Sequence, residues 1–109
     1  MRSYNHFSGD ANRTSAQNPS DTVYAIVLVA NTAQTVTLPA SLKTALASFT
    51  ANGPFYANFN GTAAIPASNV TNGTASVINP TTKYLSSQSS FSLIAPAATI
   101  VTIEFFSVN

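Results

Sequence analysis

Charged side chains are scarce in this sequence, and nearly all of the chain after residue 21 is uncharged. Only 6% of the 109 residues are charged, whereas 45% are hydrophobic. Beyond Asp21 the only charged residues are Lys43, Lys83 and Glu104. A small soluble monomer usually carries about 25% charged residues, which hydrate its surface and keep molecules apart. We therefore expect a surface of Ser, Thr, Asn and Ala, part of which contacts other protein.

Cysteine is absent, and no apolar run is long. Without cysteine, the chain cannot form disulfides or thiolate metal sites, so packing and contacts between subunits must stabilise it. The longest apolar run, residues 23–30, is far shorter than the ~20 residues of a membrane helix. The N-terminus also lacks the apolar core of a signal peptide. We expect neither membrane insertion nor ordinary secretion. We expect synthesis in a cytoplasm instead.

Residue types that carry chemistry are few. The net charge of +1 leaves no basic stripe for phosphates, so we expect no nucleic-acid partner. His6 is the one imidazole, and the many hydroxyls have no recognisable base to activate them. A glycosidase needs two facing carboxylates, and the chain after Asp21 holds only Glu104. We expect Glu104 to point outward or to meet Lys43, Lys83 or an arginine near the N-terminus. The sequence predicts no enzyme, no cofactor and no metal site.

Residues 1–21 are predicted to form an extended N-terminal arm. This segment is polar and holds four of the seven charges, so it cannot bury enough apolar area to fold alone. We expect a neighbouring subunit to order it, with aromatic anchors and two arginines that pair with carboxylates or carbonyls: Tyr4, Phe7, Arg2 and Arg13. The alternative is an arm that folds back over its own domain.

Residues 22–109 are predicted to form one β-rich body. Residues 23–29 are β-branched and almost continuously apolar, as in a strand covered on both faces. A turn at residues 31–33 and alternation over 34–38 predict a hairpin with that strand. Leu42, Leu46 and Phe49 have helical spacing after Ser41, which predicts a short helix. Further strands are expected at 55–59, 91–94 and 99–106.

This pattern predicts an antiparallel β-sandwich or a jelly-roll-like body with one short helix. The buried residues should include Ile26, Leu28, Val36, Phe59, Leu93, Ile100 and Ile103. Residues 60–80 are rich in turn formers, and Asn-Gly-Thr-Ala occurs at both 60–63 and 72–75. Two copies are too few for a solenoid, so we interpret them as two similar turns.

The aromatic residues at 55–59 allow two interpretations. Alternation along a strand would place Phe55 and Phe59 in the core and Tyr56 outside. Alternatively, these rings could form a platform for stacking sugars. We favour the core interpretation.

The stretch from Phe55 to Phe106 resembles small structural proteins of tailed bacteriophages, above all head decoration (cement) proteins. The likeness lies in Asn-Gly-Thr-Ala-Ala-Ile-Pro, in Asn-Gly-Thr-Ala-Ser-Val-Ile-Asn-Pro and in Ile-Val-Thr-Ile-Glu-Phe-Phe. It covers about half of the chain and rests on composition and on the rhythm of turns and strands. It implies a β-rich subunit present in many copies on a capsid, bound to the major capsid protein and to its own copies.

The sequence therefore favours a non-enzymatic virion structural protein, located on the capsid surface and made in the host cytoplasm. Its expected partners are the major capsid protein or other virion subunits, and further copies of itself in a homo-oligomer. A tail, collar or spike subunit is an alternative in the same class. A carbohydrate-binding or adhesin module is an alternative from another class, with Tyr56, Tyr84 and the Asn-rich turns as its binding surface.

Overall fold

The computed structural model describes residues 19–39, 44–86 and 88–107, and within them the chain forms two antiparallel β-sheets. These residues contain no helix, so the predicted all-β class is confirmed. The described strands are β1 Thr22–Leu28, β2 Gln34–Thr37, β3 Thr44–Ala51, β4 Tyr56–Asn58, β5 Val77–Ile78, β6 Thr82–Ser86, β7 Ser90–Ile94 and β8 Thr99–Ser107.

The two sheets have four strands each, in the order β1-β8-β3-β6 and β2-β7-β4-β5. We call them the first and the second sheet. All strand pairs are antiparallel, and every connection between described strands except that from β4 to β5 passes from one sheet to the other. This order is that of a jelly roll, in which eight strands form two packed sheets. The predicted sandwich is therefore confirmed.

The predicted helix at Ser41–Phe49 is wrong over the part that the structure describes. Residues 44–51 form β3, a strand that pairs with β6 on one side and β8 on the other. Ala45, Ala47 and Phe49 face the core with a period of two. Because two of these three residues are alanines, this alternation was less visible in the sequence than the helical spacing of the larger side chains.

The predicted hairpin between residues 23–29 and 34–38 is also wrong, although its turn exists. Asn31 has a φ of 59°, and the Thr32 N–H donates to the carbonyl of Val29 over 3.2 Å. This turn carries the chain from β1 in the first sheet to β2 in the second, where β2 pairs with β7. Strand pairing is set by the packing of whole sheets, so adjacency in sequence gave the wrong partner.

The core lies between the two sheets. Val101, Ile103 and Phe105 of β8 are completely buried there. Phe49 contacts three further rings at centroid distances between 5.8 and 6.1 Å: Phe55, Phe59 and Phe91. Such tilted and edge-to-face ring pairs add to the stabilisation that burial of their area provides. The core interpretation of Phe55 and Phe59 is confirmed, with Phe59 partly buried at the margin.

Most of the predicted core residues are buried, and one is not. Leu28, Val36, Leu93 and Ile103 are buried, while Ile26 and Phe59 pack against the core from partly buried positions. Ile100, however, is 44% exposed. The inward register of β8 begins at Thr99, which is buried, and therefore turns Ile100 outward.

Candidate functional site

An apolar strip lies on the side of the first sheet that faces away from the second sheet. Alternate residues of β1 point inward, and Tyr24 packs edge-on against Phe105 with ring centroids 5.0 Å apart. The residues between them point outward, where Val23 is 50% and Val27 is 69% exposed. Val27 stands directly opposite Ile100 of β8. We call the strip formed by Val23, Ala25, Val27 and Ile100 the outer strip.

The two cross-strand rows beside the outer strip carry mainly small polar side chains. Ala25 lies in one cross-strand row with Thr102 and Thr50, and Val23 lies in the next row with Glu104 and Ser48. Hydroxyl and methyl groups therefore border the outer strip, and Glu104 is the charged residue of these rows. Burying such a surface against another protein requires little desolvation of charge.

Glu104 points outward, as one of the sequence-based alternatives held. Its Oε2 accepts a hydrogen bond from the backbone N–H of Ser20 over 3.3 Å. Lys83 is not its partner, because Lys83 stands opposite Ala47 on the core side of the sheet. Lys43 and the arm arginines lie outside the described residues.

The chain before β1 is fixed against β8 at this point. The Ser20 hydroxyl donates to the carbonyl of Phe105. The Oγ of Ser20 also accepts a hydrogen bond from the backbone N–H of Thr22 over 3.0 Å. The body therefore includes Ser20 in its hydrogen bonding, two residues before the first strand. The predicted arm contacts at Arg2, Tyr4, Phe7 and Arg13 lie outside the described residues.

One end of the outward side of β8 is covered. Phe106 shares that side with Ile100 and Glu104, yet it is completely buried and does not belong to the cluster between the sheets. Ile100, six residues earlier in the same strand, remains 44% exposed. The outer strip therefore runs along β1 to the start of β8 and stops short of Phe106.

A second candidate site is a concave region among the turns between β4 and β5, which we call the loop cleft. It has a volume of about 420 Å³ and is lined by residues between Asn58 and Ser76, including three residues from each Asn-Gly-Thr-Ala segment. Asn58 is buried, and its Nδ2 donates to the carbonyl of Thr74 and to the hydroxyl of Ser76 over 3.2 and 3.4 Å. The lining offers amides and hydroxyls without charge.

The two Asn-Gly-Thr-Ala segments do not form similar turns, so that interpretation is wrong. Gly73 has a φ of 89°, and the Asn72 side chain accepts hydrogen bonds from the N–H and hydroxyl of Thr74. Gly61 is not in the left-handed region, and the N–H of Asn60 is bonded instead by the Oδ1 of Asn58 over 2.9 Å. The segments share a sequence and a cleft but not a conformation.

The two tyrosines proposed for the binding surface of a carbohydrate-binding or adhesin module are separated. Tyr84 is 58% exposed on the outward side of β6 in the first sheet, whereas Tyr56 is half-buried on β4 in the second. Among the described residues, neither tyrosine lines the loop cleft. The predicted combination of Tyr56, Tyr84 and the Asn-rich turns therefore does not form one surface.

Sequence reasoning missed the outer strip. Residues 23–29 are almost uniformly apolar, so no alternation showed which side would face solvent, and the strand was expected to be covered on both faces. The uniform apolar run does not show which side of β1 is exposed to solvent. That side becomes visible only when β1 is paired with β8.

Other kinds of site receive no support from the described residues. Within residues 19–39, 44–86 and 88–107, no group of three His, Asp or Glu side chains is placed to hold a metal ion. The same residues include no helix that is long and apolar enough to cross a membrane. Comparison of the chain with protein-family models, with curated proteins and with solved structures gave no match.

Proposed function

We propose that this chain is a non-enzymatic structural subunit of a virion, and specifically a capsid decoration protein that binds the major capsid protein and stabilises the head. The observation that carries the proposal is the outer strip, an exposed apolar surface on a domain whose described residues carry very little charge. Such a surface is unfavourable for an isolated monomer and favourable for a subunit that is covered in its working state.

The fold and the sequence resemblance support this proposal together. Jelly rolls occur in viral capsid domains and also in lectins, so the fold alone does not select a function. The resemblance to phage head decoration proteins favours the first of these two classes. A decoration protein acts through an extended surface, and the outer strip with the arm would provide one in this β-domain.

The energetics fit a contact that is repeated over a shell. Burial of apolar area contributes about 25 cal/mol per Å², so covering the exposed parts of Val23, Val27 and Ile100 stabilises each contact modestly. A ligand that binds only the assembled state shifts the equilibrium toward assembly. Many modest contacts would therefore strengthen a shell against internal pressure.

The arm has a defined part in this proposal. Ser20 is bonded to β8 beside Glu104, so the chain enters the body next to the outward side of the first sheet. Tyr4 and Phe7 would anchor the arm in apolar depressions of the partner, and Arg2 and Arg13 would pair with its carboxylates or carbonyls. The arm and the outer strip would then bind neighbouring parts of the capsid lattice.

A carbohydrate-binding module is the second candidate, and the loop cleft is the observation that favours it. Amide and hydroxyl groups such as those of Asn58 and Ser76 suit the hydrogen bonding of sugars. However, sugar sites usually add an aromatic ring, and neither Tyr56 nor Tyr84 lines this cleft. Calorimetric titration with a panel of oligosaccharides tests it directly, since binding that is lost in Asn58→Ala would favour this candidate over decoration.

Electron microscopy of particles that contain this protein tests the decoration proposal. The expected result is density for many copies at regular positions on the head, and density at a tail, collar or spike would favour the alternative in the same class. Absence of the chain from purified particles would refute both virion roles.

Removing residues 2–18 tests the arm while it keeps the Ser20 contacts. We expect the truncated chain to retain its β-sheet circular dichroism and to lose attachment to stripped particles. Attachment equal to that of the full chain would show that the arm is not the tether.

A further inference from the structure

We propose that β1 is an interface between two copies of this chain. The two β1 strands pair antiparallel about a two-fold axis that passes between Ala25 of one copy and Ala25 of the other. The two first sheets would then form one continuous sheet. This inference names the surface by which copies meet, and it rests on the proposed function only in requiring that the chain works in many copies.

β1 is an edge strand, and its free edge has backbone groups available for pairing. Among the described residues, β1 pairs with β8 alone. The Ile100 carbonyl accepts the N–H of Asn52 over 3.3 Å, and the Ile100 N–H donates to the Oδ1 of Asn52 over 3.0 Å. The backbone of Ile100 is therefore directed away from β1, so Val27 and Ile100 form a pair without mutual backbone hydrogen bonds.

This pairing fixes the direction in which the backbone N–H and C=O groups of every second residue of β1 point. Paired residues in an antiparallel ladder alternate between those that exchange hydrogen bonds and those that do not. Since Val27 belongs to the second kind, Val23 and Ala25 belong to it as well. The N–H and C=O groups of these three residues point to the free edge, and their side chains form most of the outer strip.

The β1 edge also lacks the features that normally prevent sheets from joining. Natural edges are protected by charge, proline, bulges or short length. The β1 sequence Thr-Val-Tyr-Ala-Ile-Val-Leu contains no charge and no proline, and it pairs with β8 one to one over all seven residues.

The other described edges differ from β1 in this respect. β2 has four residues, β5 has two and is followed closely by Pro80, and β6 carries Lys83. Among these edges, β1 is the one that combines length with the absence of a protecting residue.

The strand is self-complementary about Ala25. In this register Ala25 meets Ala25 of the second copy, and Val23 meets Val27 of the second copy. All of these pairs are between residues whose backbone groups point to the free edge, so each pair can exchange both of its hydrogen bonds. Asp21 of one copy lies at the opposite end of the interface from Asp21 of the other, so like charges do not meet.

The size of the contact predicts its strength. Seven residues extend about 24 Å, and a strand edge about 10 Å thick then buries roughly 500 Å² over both copies. Stable interfaces bury about 1,200 Å² or more, so the isolated pair should be weak. Repetition over a shell would raise its effective affinity because each copy is held near its neighbour.

A matched pair of charge variants tests whether the edge carries the contact. Ala25 and Thr50 lie in the same cross-strand row and are both exposed, but only Ala25 is at the edge. We expect sedimentation of the purified chain up to ~1 mM to show a dimer for the wild type and for Thr50→Lys. Ala25→Lys should raise the dissociation constant by ~10-fold or more, because two lysines meet at the axis.

Cysteine variants test the register, since the natural sequence has no cysteine. Opposed residues in a hydrogen-bonded pair have Cα atoms about 5.5 Å apart, within the range of a disulfide. Ala25→Cys should therefore form a cross-linked dimer on mild oxidation. Val23→Cys alone should not, because the two copies of residue 23 would lie about 13 Å apart along the strands. The double variant Val23→Cys with Val27→Cys should cross-link again.

Several results would overturn the inference. The first is a wild-type chain that stays monomeric at ~1 mM. The second is a dimer that is weakened by Thr50→Lys as much as by Ala25→Lys. The third is cross-linking of Val23→Cys to the same extent as Ala25→Cys. The fourth is cross-linking of Ala25→Cys to another virion protein in place of a second copy. All measurements but the last use the purified chain, so they can fail or succeed independently of attachment to particles.

Discussion

The two sheets of this sandwich share a core but differ in how they meet their surroundings. In the first sheet β1, β3 and β8 have seven, eight and nine residues and pair in an unbroken register. In the second sheet the strands have five residues or fewer, and a long run of turns between β4 and β5 builds the loop cleft. The first sheet offers a regular surface with an apolar strip along its β1 edge, whereas the second ends in a polar loop region.

This difference separates two sources of order in one small domain. The first sheet is ordered by its ladder, which leaves the outward side chains free to serve a contact. The turns beside the second sheet are ordered by single side chains such as Asn58 and Asn79, which bond backbone groups far away in sequence. Substitutions should therefore act on the two regions by different mechanisms and with different magnitudes.

The largest effect is expected where the two sheets meet. Phe49→Ala removes the ring that contacts Phe55, Phe59 and Phe91, so it should lower the free energy of unfolding by ~3–5 kcal/mol. Urea denaturation followed by circular dichroism measures this. Tyr84→Ala removes an exposed ring from the same sheet and serves as the control, with an expected change within ~0.5 kcal/mol. Equal losses in the two variants would contradict the assignment of the core.

The sequence predicted the sandwich because β-branched and aromatic runs were strong where the strands are long. The strands at residues 23–29 and 99–106 appeared where expected, and four of the predicted core residues are fully buried. β6 was not predicted, since Thr-Lys-Tyr-Leu-Ser mixes polar and apolar residues around a lysine.

What the sequence did not reveal depends on long-range pairing. β1 and β2 were expected to form a hairpin, but the jelly-roll order places β8 beside β1 and β7 beside β2. The exposure of Ile100 and Val27 follows from that pairing, so the outer strip was hidden. The loop cleft likewise depends on Asn58, an ordinary strand-end amide in sequence, reaching residues sixteen and eighteen positions later.

A moderate effect is expected from Asn58→Ala. Loss of this buried amide leaves the Asn60 N–H and the Thr74 carbonyl without the partner described above, which should cost ~1–3 kcal/mol. Hydrogen exchange should show faster exchange across residues 59–76 and unchanged protection in β8. Asn60→Ala, at an exposed neighbouring position, is the matched control and should leave that protection intact. Equal protection in Asn58→Ala and the wild type would show that this side chain does not hold the cleft.

A smaller effect separates the two Asn-Gly-Thr-Ala segments. Gly73→Ala places a Cβ at a φ of 89°, which should cost ~1–2 kcal/mol through backbone strain alone, since no atom lies within 4 Å of that Cβ. Gly61→Ala should cost less, because the added Cβ meets only the Asn58 Oδ1 at 3.9 Å, an ordinary contact. Thermal unfolding of both variants measures the difference. A larger loss in Gly61→Ala would show that the two turns had been assigned in reverse.

The smallest effect on stability is expected on the outer strip, where the same substitution can be compared on the two sides of one strand. Ile100→Thr keeps a β-branched side chain, so strand propensity is retained and the free energy of unfolding should change by no more than ~0.5 kcal/mol. Ile103→Thr, three residues later and completely buried, places a hydroxyl in the core and should cost ~2–4 kcal/mol. Urea denaturation of the two purified variants gives both numbers. If Ile100→Thr were as costly as Ile103→Thr, Ile100 would be buried in solution, and the outer strip would already be covered within a single copy.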